Sequence, residues 1–108
     1  MLSEIKSMWL MVMFDLPTVT KAEKREYTRF RKYLLAEGFV QLQFSVYAKF
    51  CASRENAQKY YRYIREVVPP GGYVRLLMVT DKQFGDMVSL YGKTVKEIEE
   101  KPEQLLLF

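Results

Sequence analysis

One carboxylate stands where chemistry could be done. Asp15 closes the apolar run Trp9 to Phe14 and is followed by Leu16 and Pro17. A strand that ends there holds its last side chain rigidly at a surface. An Asx-type turn ahead of Pro17, with the carboxylate accepting local backbone amides, explains the same residue with no chemistry at all. Mg²⁺ takes an octahedron of oxygens, commonly one or two from carboxylates and the rest from water and phosphate, so Asp15 alone is too little for a hard cation. A two-fold axis that brought two copies of Asp15 together would let the pair share one metal, and a dimer would then be part of the catalytic argument. The 108 residues include no histidine. That removes Ser-His-Asp triads, Cys-His pairs and zinc sites of the His-Glu-x-x-His kind, and leaves hydrolysis to carboxylates, metal and water. Cys51 is the single cysteine. It has no partner for an internal disulfide and no histidine to activate it, and it points to a reducing compartment.

Positive charge gathers between Lys21 and Glu37, where Lys21, Lys24, Arg25, Arg29, Arg31 and Lys32 are set against Glu23, Glu26 and Glu37. A solvated helix face with internal pairing, such as Glu26 with Arg29 or Glu23 with Arg25, is one reading. The other is a strip formed by Lys24, Arg25, Arg29, Arg31 and Lys32 that contacts phosphates and supplies salt-dependent affinity without base specificity. The whole chain carries +4, which permits a polyanionic partner and does not demand one. Tyr60-Tyr61-Arg62-Tyr63 could stack on bases, but at helical spacing Tyr60, Tyr61 and Ile64 belong to a core and only Tyr63 points outward. No strand carries the Lys/Arg-Gly-aromatic run of single-strand RNA platforms. Gly71-Gly72 lacks a following Lys-Ser/Thr and is a tight turn, not a phosphate loop.

The chain ends in Gln104, Leu105, Leu106, Leu107 and Phe108, an apolar tip expected to find a partner. Strand pairing at a sheet edge of another subunit would cover it. A docking peptide is the alternative, since the run resembles the short Gln-Leu-x-Leu-Phe motif by which bacterial DNA-processing proteins bind the sliding clamp.

These residues need a scaffold, and the patterning supplies one. Trp9 to Phe14 is continuously apolar, as in a central strand covered on both sides. Thr20 and Glu23 have capping-box spacing and predict a helix running to about Glu37, stopped by Gly38. Tyr27, Phe30 and Leu34 form its core face. Phe39 to Phe50 alternates with a period of two, giving one long bent strand or two short strands with an abrupt change of direction. Ser53 caps a second helix over about Arg54 to Val68, closed by Pro69-Pro70-Gly71-Gly72. Tyr73 to Thr80 is a further strand, apolar on both faces and so expected to be central. Asp81 to Asp86 reads as a short turn or helix, and Met87 to Tyr91 as a final short strand. The order predicts an α+β ferredoxin-like βαββαβ sandwich, two helices on one face of an antiparallel sheet, with a C-terminal strand or tail. The other sheet face would be bare, and a second copy is its simplest cover. Residues 1–92 make the domain and 93–108 the tail. The longest apolar run, Met8 to Phe14, is far short of the ~20 residues of a membrane span, so a cytoplasmic protein without a membrane partner is expected.

The strand-plus-aspartate Trp9-Leu10-Met11-Val12-Met13-Phe14-Asp15-Leu16-Pro17 resembles that of the second CRISPR-associated protein family. A basic helix with Arg29, Arg31 and Lys32 follows. Gly38-Phe39-Val40-Gln41-Leu42-Gln43-Phe44-Ser45-Val46-Tyr47 is similar to the family's Gly-x-x-x-x-Gln-x-Ser-Val-aromatic stretch, and Tyr73 to Phe84 resembles its later strand and turn. The match runs to about Gly92, and Lys82-Gln83-Phe84 with the leucine-rich end suggests the subtype found beside the Cas nine effector. The resemblance implies a ferredoxin-like homodimer that bridges dimers of the CRISPR integrase subunit and supports prespacer duplex DNA during spacer integration. It implies Mg²⁺-dependent endonuclease activity on RNA or double-stranded DNA in several members, with Asp15 as metal ligand, and a C-terminal segment that pairs with a neighbouring subunit. Three functions stay open: an adaptor in spacer acquisition with latent nuclease activity, a stand-alone metal-dependent phosphodiesterase, and a regulatory domain of the same fold that binds no nucleic acid.

Overall fold

A computed structural model describes residues 7–92. Its elements are β1 (Met8–Asp15), α1 (Lys21–Ala36), β2 (Val40–Gln43), β3 (Val46–Cys51), α2 (Arg54–Val67), β4 (Tyr73–Thr80) and α3 (Asp81–Gly85). The strands form one antiparallel sheet in the order β2-β3-β1-β4. This is the ferredoxin-like arrangement, with α1 and α2 packed on one face.

Alternation in β1 divides the two faces. Met8, Leu10, Val12 and Phe14 are buried under the helices with Phe30, Leu34, Ala57 and Ile64. Trp9, Met11, Met13 and Asp15 point to the other side. The unbroken apolar run therefore marks a central strand with only one fully covered face. β3 divides its residues between the same two faces. Tyr47 and Cys51 are buried, whereas Val46 and Phe50 lie opposite Met13 and Trp9 on the open face. Lys49 shares the helix side and carries its ammonium to 5.0 Å from the Tyr60 ring centroid, so its stem packs while its charge meets a π-face.

The caps form where the sequence places them. Thr20 Oγ1 accepts from the Glu23 amide, and the Glu23 carboxylate accepts from the amides of Val19 and Thr20. Those bonds hold the Glu23 carboxyl below its ordinary pKa. At the far end Gly38 adopts φ 93° and lets the chain leave α1, with the Phe39 amide donating to the Leu34 carbonyl. Ser53 Oγ caps α2 through the Asn56 amide.

Two expectations fail. Among the described residues β4 is an edge strand, not a central one. Val74, Leu76 and Met78 pack on the core, while Tyr73 and Leu77 remain 57% and 49% exposed on the open face. Its two-sided apolarity reports an uncovered face rather than a central position. Met87 to Gly92 is not a strand either. Met87 to Leu90 instead runs irregularly past Met11, Leu42 and Val46, with a hollow between them, and Val88 and Leu90 stay exposed. Phe84 of α3 stacks on Trp9 at 3.9 Å, and the Trp9 indole N–H donates to Asp81 at 2.8 Å. Among the described residues the open face is thus capped at its Trp9 end and uncovered toward Asp15. The stretch Phe39 to Phe50 resolves as two short strands, turned at Phe44-Ser45 with Ser45 at φ 67°.

Candidate functional site

Asp15 is exposed at the last position of β1, directly opposite Tyr73 of β4. The strand pairing sets Arg75 opposite Met13, so Asp15, Tyr73 and Arg75 share the open face at one end of the sheet. The β2–β3 turn closes the other side of the same hollow, which has a volume of about 390 Å³ and is lined by Asp15, Ser45, Tyr73 and Arg75 over Met13 and Val46. The Phe14 amide donates to the Ser45 carbonyl at 3.1 Å, fixing the turn against the strand end. Ser45 holds a left-handed backbone that costs a non-glycine residue about 1 kcal/mol or more.

The polar groups of the hollow are ordered. Arg75 Nε and Nη2 both donate to the Tyr73 hydroxyl, at 3.1 and 2.8 Å, and the guanidinium lies 5.0 Å from the Tyr73 ring centroid. Asp15 makes no ion pair with Arg75 or with any other described residue. As for Mg²⁺, the chain brings one carboxylate to the hollow, and the described residues contain no cluster of three or more metal-ligating side chains. That donor set fits part of a hard-cation site. Phosphate oxygens, water or a second carboxylate would have to complete it.

The basic residues occupy the other layer. Lys21, Lys24, Arg25, Arg29 and Lys32 line one continuous outer surface of α1 with Thr28 between them. Arg29 is paired with Glu26 one turn away, as the spacing predicted, while Glu23 serves the helix cap instead of Arg25. Lys24, Arg25 and Lys32 form no ion pair among the described residues. Arg31 stands apart from this surface. It is half-buried and lies toward Tyr47, whose hydroxyl burial pushes up in pKa and the Arg31 charge pulls back. No hydrogen bond of ordinary geometry joins the two. Cys51 is buried and unpaired, and burial raises its thiol pKa, the opposite of an activated nucleophile. Tyr60 and Tyr61 pack on the core and Tyr63 is exposed. The tip Gln104 to Phe108 lies outside the described residues. Among the described residues no helix is long and apolar enough to cross a membrane.

The chain and its fold have counterparts among known proteins. The family model described as CRISPR associated protein Cas2 matches residues 8–87, from the first strand through α3. The chain belongs to the Cas2 family. A Flavobacterium psychrophilum protein named CRISPR-associated endoribonuclease Cas2 is 46% identical over 107 residues, covering 99% of this chain and 93% of that one. A protein of the same name from Parvibaculum lavamentivorans is 46% identical over 101 residues, covering 94% and 100%. One from Ligilactobacillus salivarius is 40% identical over 100 residues, covering 93% and 99%. A solved structure titled as a crystal structure of Cas2 superposes with a TM-score of 0.58 at 18% identity, covering 82% of this chain and 91% of that one, and so shares the fold. Within this Cas2 chain, sequence reasoning found Asp15 and the α1 strip but missed Ser45, Tyr73 and Arg75 as lining of the Asp15 hollow. One signal was available: Arg75 is the only charge in the strand Tyr73 to Thr80.

Proposed function

We propose that the chain works in the cytoplasm as a homodimer in CRISPR adaptation, binding duplex DNA and bridging dimers of the CRISPR integrase subunit. A Mg²⁺-dependent phosphodiesterase activity is carried by Asp15. One observation supports this most: the α1 basic strip and the Asp15 hollow lie on opposite layers of the sandwich. If two copies cover each other's open sheets, both strips stay outside, free to contact a duplex backbone. Each copy then brings one carboxylate to a shared interface, and the two together match the one or two carboxylates by which Mg²⁺ is commonly held beside water and phosphate. The ion would polarise the phosphate and lower the pKa of a bound water. Asp15 would hold it, and the basic residues would position the strand.

The test uses the full chain with labelled duplex DNA and single-stranded RNA. Sedimentation should give a dimer. Binding should weaken as salt rises, and Asp15→Ala or EDTA should abolish cleavage without weakening binding. A monomer, or cleavage that survives Asp15→Ala, refutes the shared-site reading. A second reading, a phosphodiesterase acting by itself, has its own support in the endoribonuclease name carried by the Flavobacterium, Parvibaculum and Ligilactobacillus relatives. It predicts RNA cleavage without integrase and no capture of the integrase subunit in a pull-down.

A further inference from the structure

The open sheet face is apolar except at one end. Trp9, Met11, Met13, Val46, Phe50 and Leu77 occupy most of it, and the charges it carries in β1 and β4 are Asp15 and Arg75. Opposite charges lining one hollow would ordinarily neutralise each other, and these do not. Arg75 is turned onto the Tyr73 hydroxyl by two of its donors, and Asp15 is left open. A hollow whose carboxylate has no ion-pair partner among the described residues, beside a pre-oriented guanidinium, suits a ligand that carries both signs, a cation and the phosphate it neutralises. A phenol oxygen that accepts two N–H groups is also left with its own O–H to donate.

We propose that Arg75 and Tyr73 form a phosphate-binding pair in the Asp15 hollow, holding the non-bridging oxygens of the nucleic-acid phosphodiester that faces Asp15. The remaining N–H groups of Arg75 donate to one oxygen, and the Tyr73 hydroxyl donates to the same oxygen or its neighbour. Arg75 suits this role better than a lysine would, because its planar fork presents parallel donors and its ring contact keeps it oriented. The pair is distinct from the α1 strip, which lies on the other layer. The assignment deepens the proposed phosphodiesterase reading and rests on it for the metal, but the phosphate contact itself can be read without metal.

Affinity of the full chain for a labelled duplex DNA and a labelled single-stranded RNA, measured in EDTA across a salt series, tests it. Arg75→Ala should weaken binding by about tenfold and reduce the salt slope by about one. Arg75→Lys should recover the slope more than the affinity. Tyr73→Phe should weaken binding by about threefold. Asp15→Asn should tighten binding in EDTA, because removing the carboxylate removes its repulsion of the phosphate. The proposal is overturned if Arg75→Ala leaves affinity and slope unchanged, or if Asp15→Asn leaves the EDTA affinity unchanged, since the phosphate is then not in this hollow. A parallel Mg²⁺ arm reads cleavage. Should Asp15→Asn cleave as the unaltered chain does while Arg75→Ala still loses affinity, the phosphodiesterase reading fails and the phosphate pair stands.

Discussion

Tyr47 offers a measurement whose sign is set by burial. Its side chain is fully buried between Phe14, stacked at 5.7 Å, and the α1 layer, and its hydroxyl finds no hydrogen-bond partner among the described residues. An unsatisfied buried polar group costs about 1–3 kcal/mol. Tyr47→Phe removes that cost, gives up the weak attraction between the hydroxyl and the Arg31 guanidinium, and leaves a void of one oxygen, worth a few tenths of a kcal/mol at ~24 cal/mol per Å³. The net expectation is a stabilisation of about 1 kcal/mol, seen as a higher urea midpoint at unchanged slope and a melting temperature raised by roughly 4–8 °C. The pH dependence adds a second reading. Burial raises the phenol pKa in the folded chain, so the native state holds its proton where the unfolded chain releases it. The stability this contributes is complete below the unfolded value of about 10 and is lost as pH climbs from there through the folded value. The advantage of Tyr47→Phe should therefore widen above that pH. A variant less stable than the unaltered chain by about 1 kcal/mol would refute the reasoning, because the hydroxyl would then have a partner worth that much.

Three further outcomes follow from the same geometry. Thr20→Ala removes the acceptor for the Glu23 amide and should cost about 1 kcal/mol in a urea titration. Glu23 is held below its ordinary pKa chiefly by the backbone amides of Thr20 and Val19, which the substitution keeps, so its share of the cap, present above the unfolded pKa, should fade in both chains as acid carries the pH down through the folded one. Arg29→Ala with Lys32→Ala removes two cations from the α1 strip and should weaken duplex binding while flattening its salt slope by about two. An unchanged slope removes α1 from the interface. The Cys51 thiol, buried and raised in pKa, should react with an alkylating agent only as fast as the chain opens, and adding urea below the transition should accelerate the reaction.

Much of the scaffold was legible because its signals are local. The Thr20–Glu23 box, the Gly38 stop and the Ser53 cap each depend on residues within one turn, and each appears where its spacing puts it. The places that misled are those where an apolar pattern has two meanings. β4 looks central from its composition, yet its exposed Tyr73 and Leu77 belong to a face that the described residues leave open. In β3 the period of two is real, and the structure settles its sides, with Tyr47 and Cys51 toward the helices and Val46 and Phe50 on the open face. Periodicity fixes that alternate residues share a side and leaves unsaid which side is the core. The Met87 to Tyr91 segment has strand-like residues and still runs irregularly past Met11 and Leu42, with Val88 and Leu90 left exposed.

The candidate site was half legible for a related reason. Asp15 stands out in a single run of sequence, whereas Tyr73 and Arg75 become its neighbours only through the β1–β4 pairing across more than fifty intervening residues. Non-local pairing is also what makes the proposed chemistry conditional on assembly. A lone carboxylate on an exposed strand end binds a hard cation weakly, and an apolar sheet face with Leu77 and Phe50 about half exposed favours its own cover. If one event satisfies both needs, burial of the sheet would supply the free energy that brings two like-charged carboxylates together. The cation would then be required to neutralise them. Mg²⁺ should in that case tighten self-association of the unaltered chain and leave that of Asp15→Asn unchanged, a linkage that sedimentation at varied Mg²⁺ reads directly.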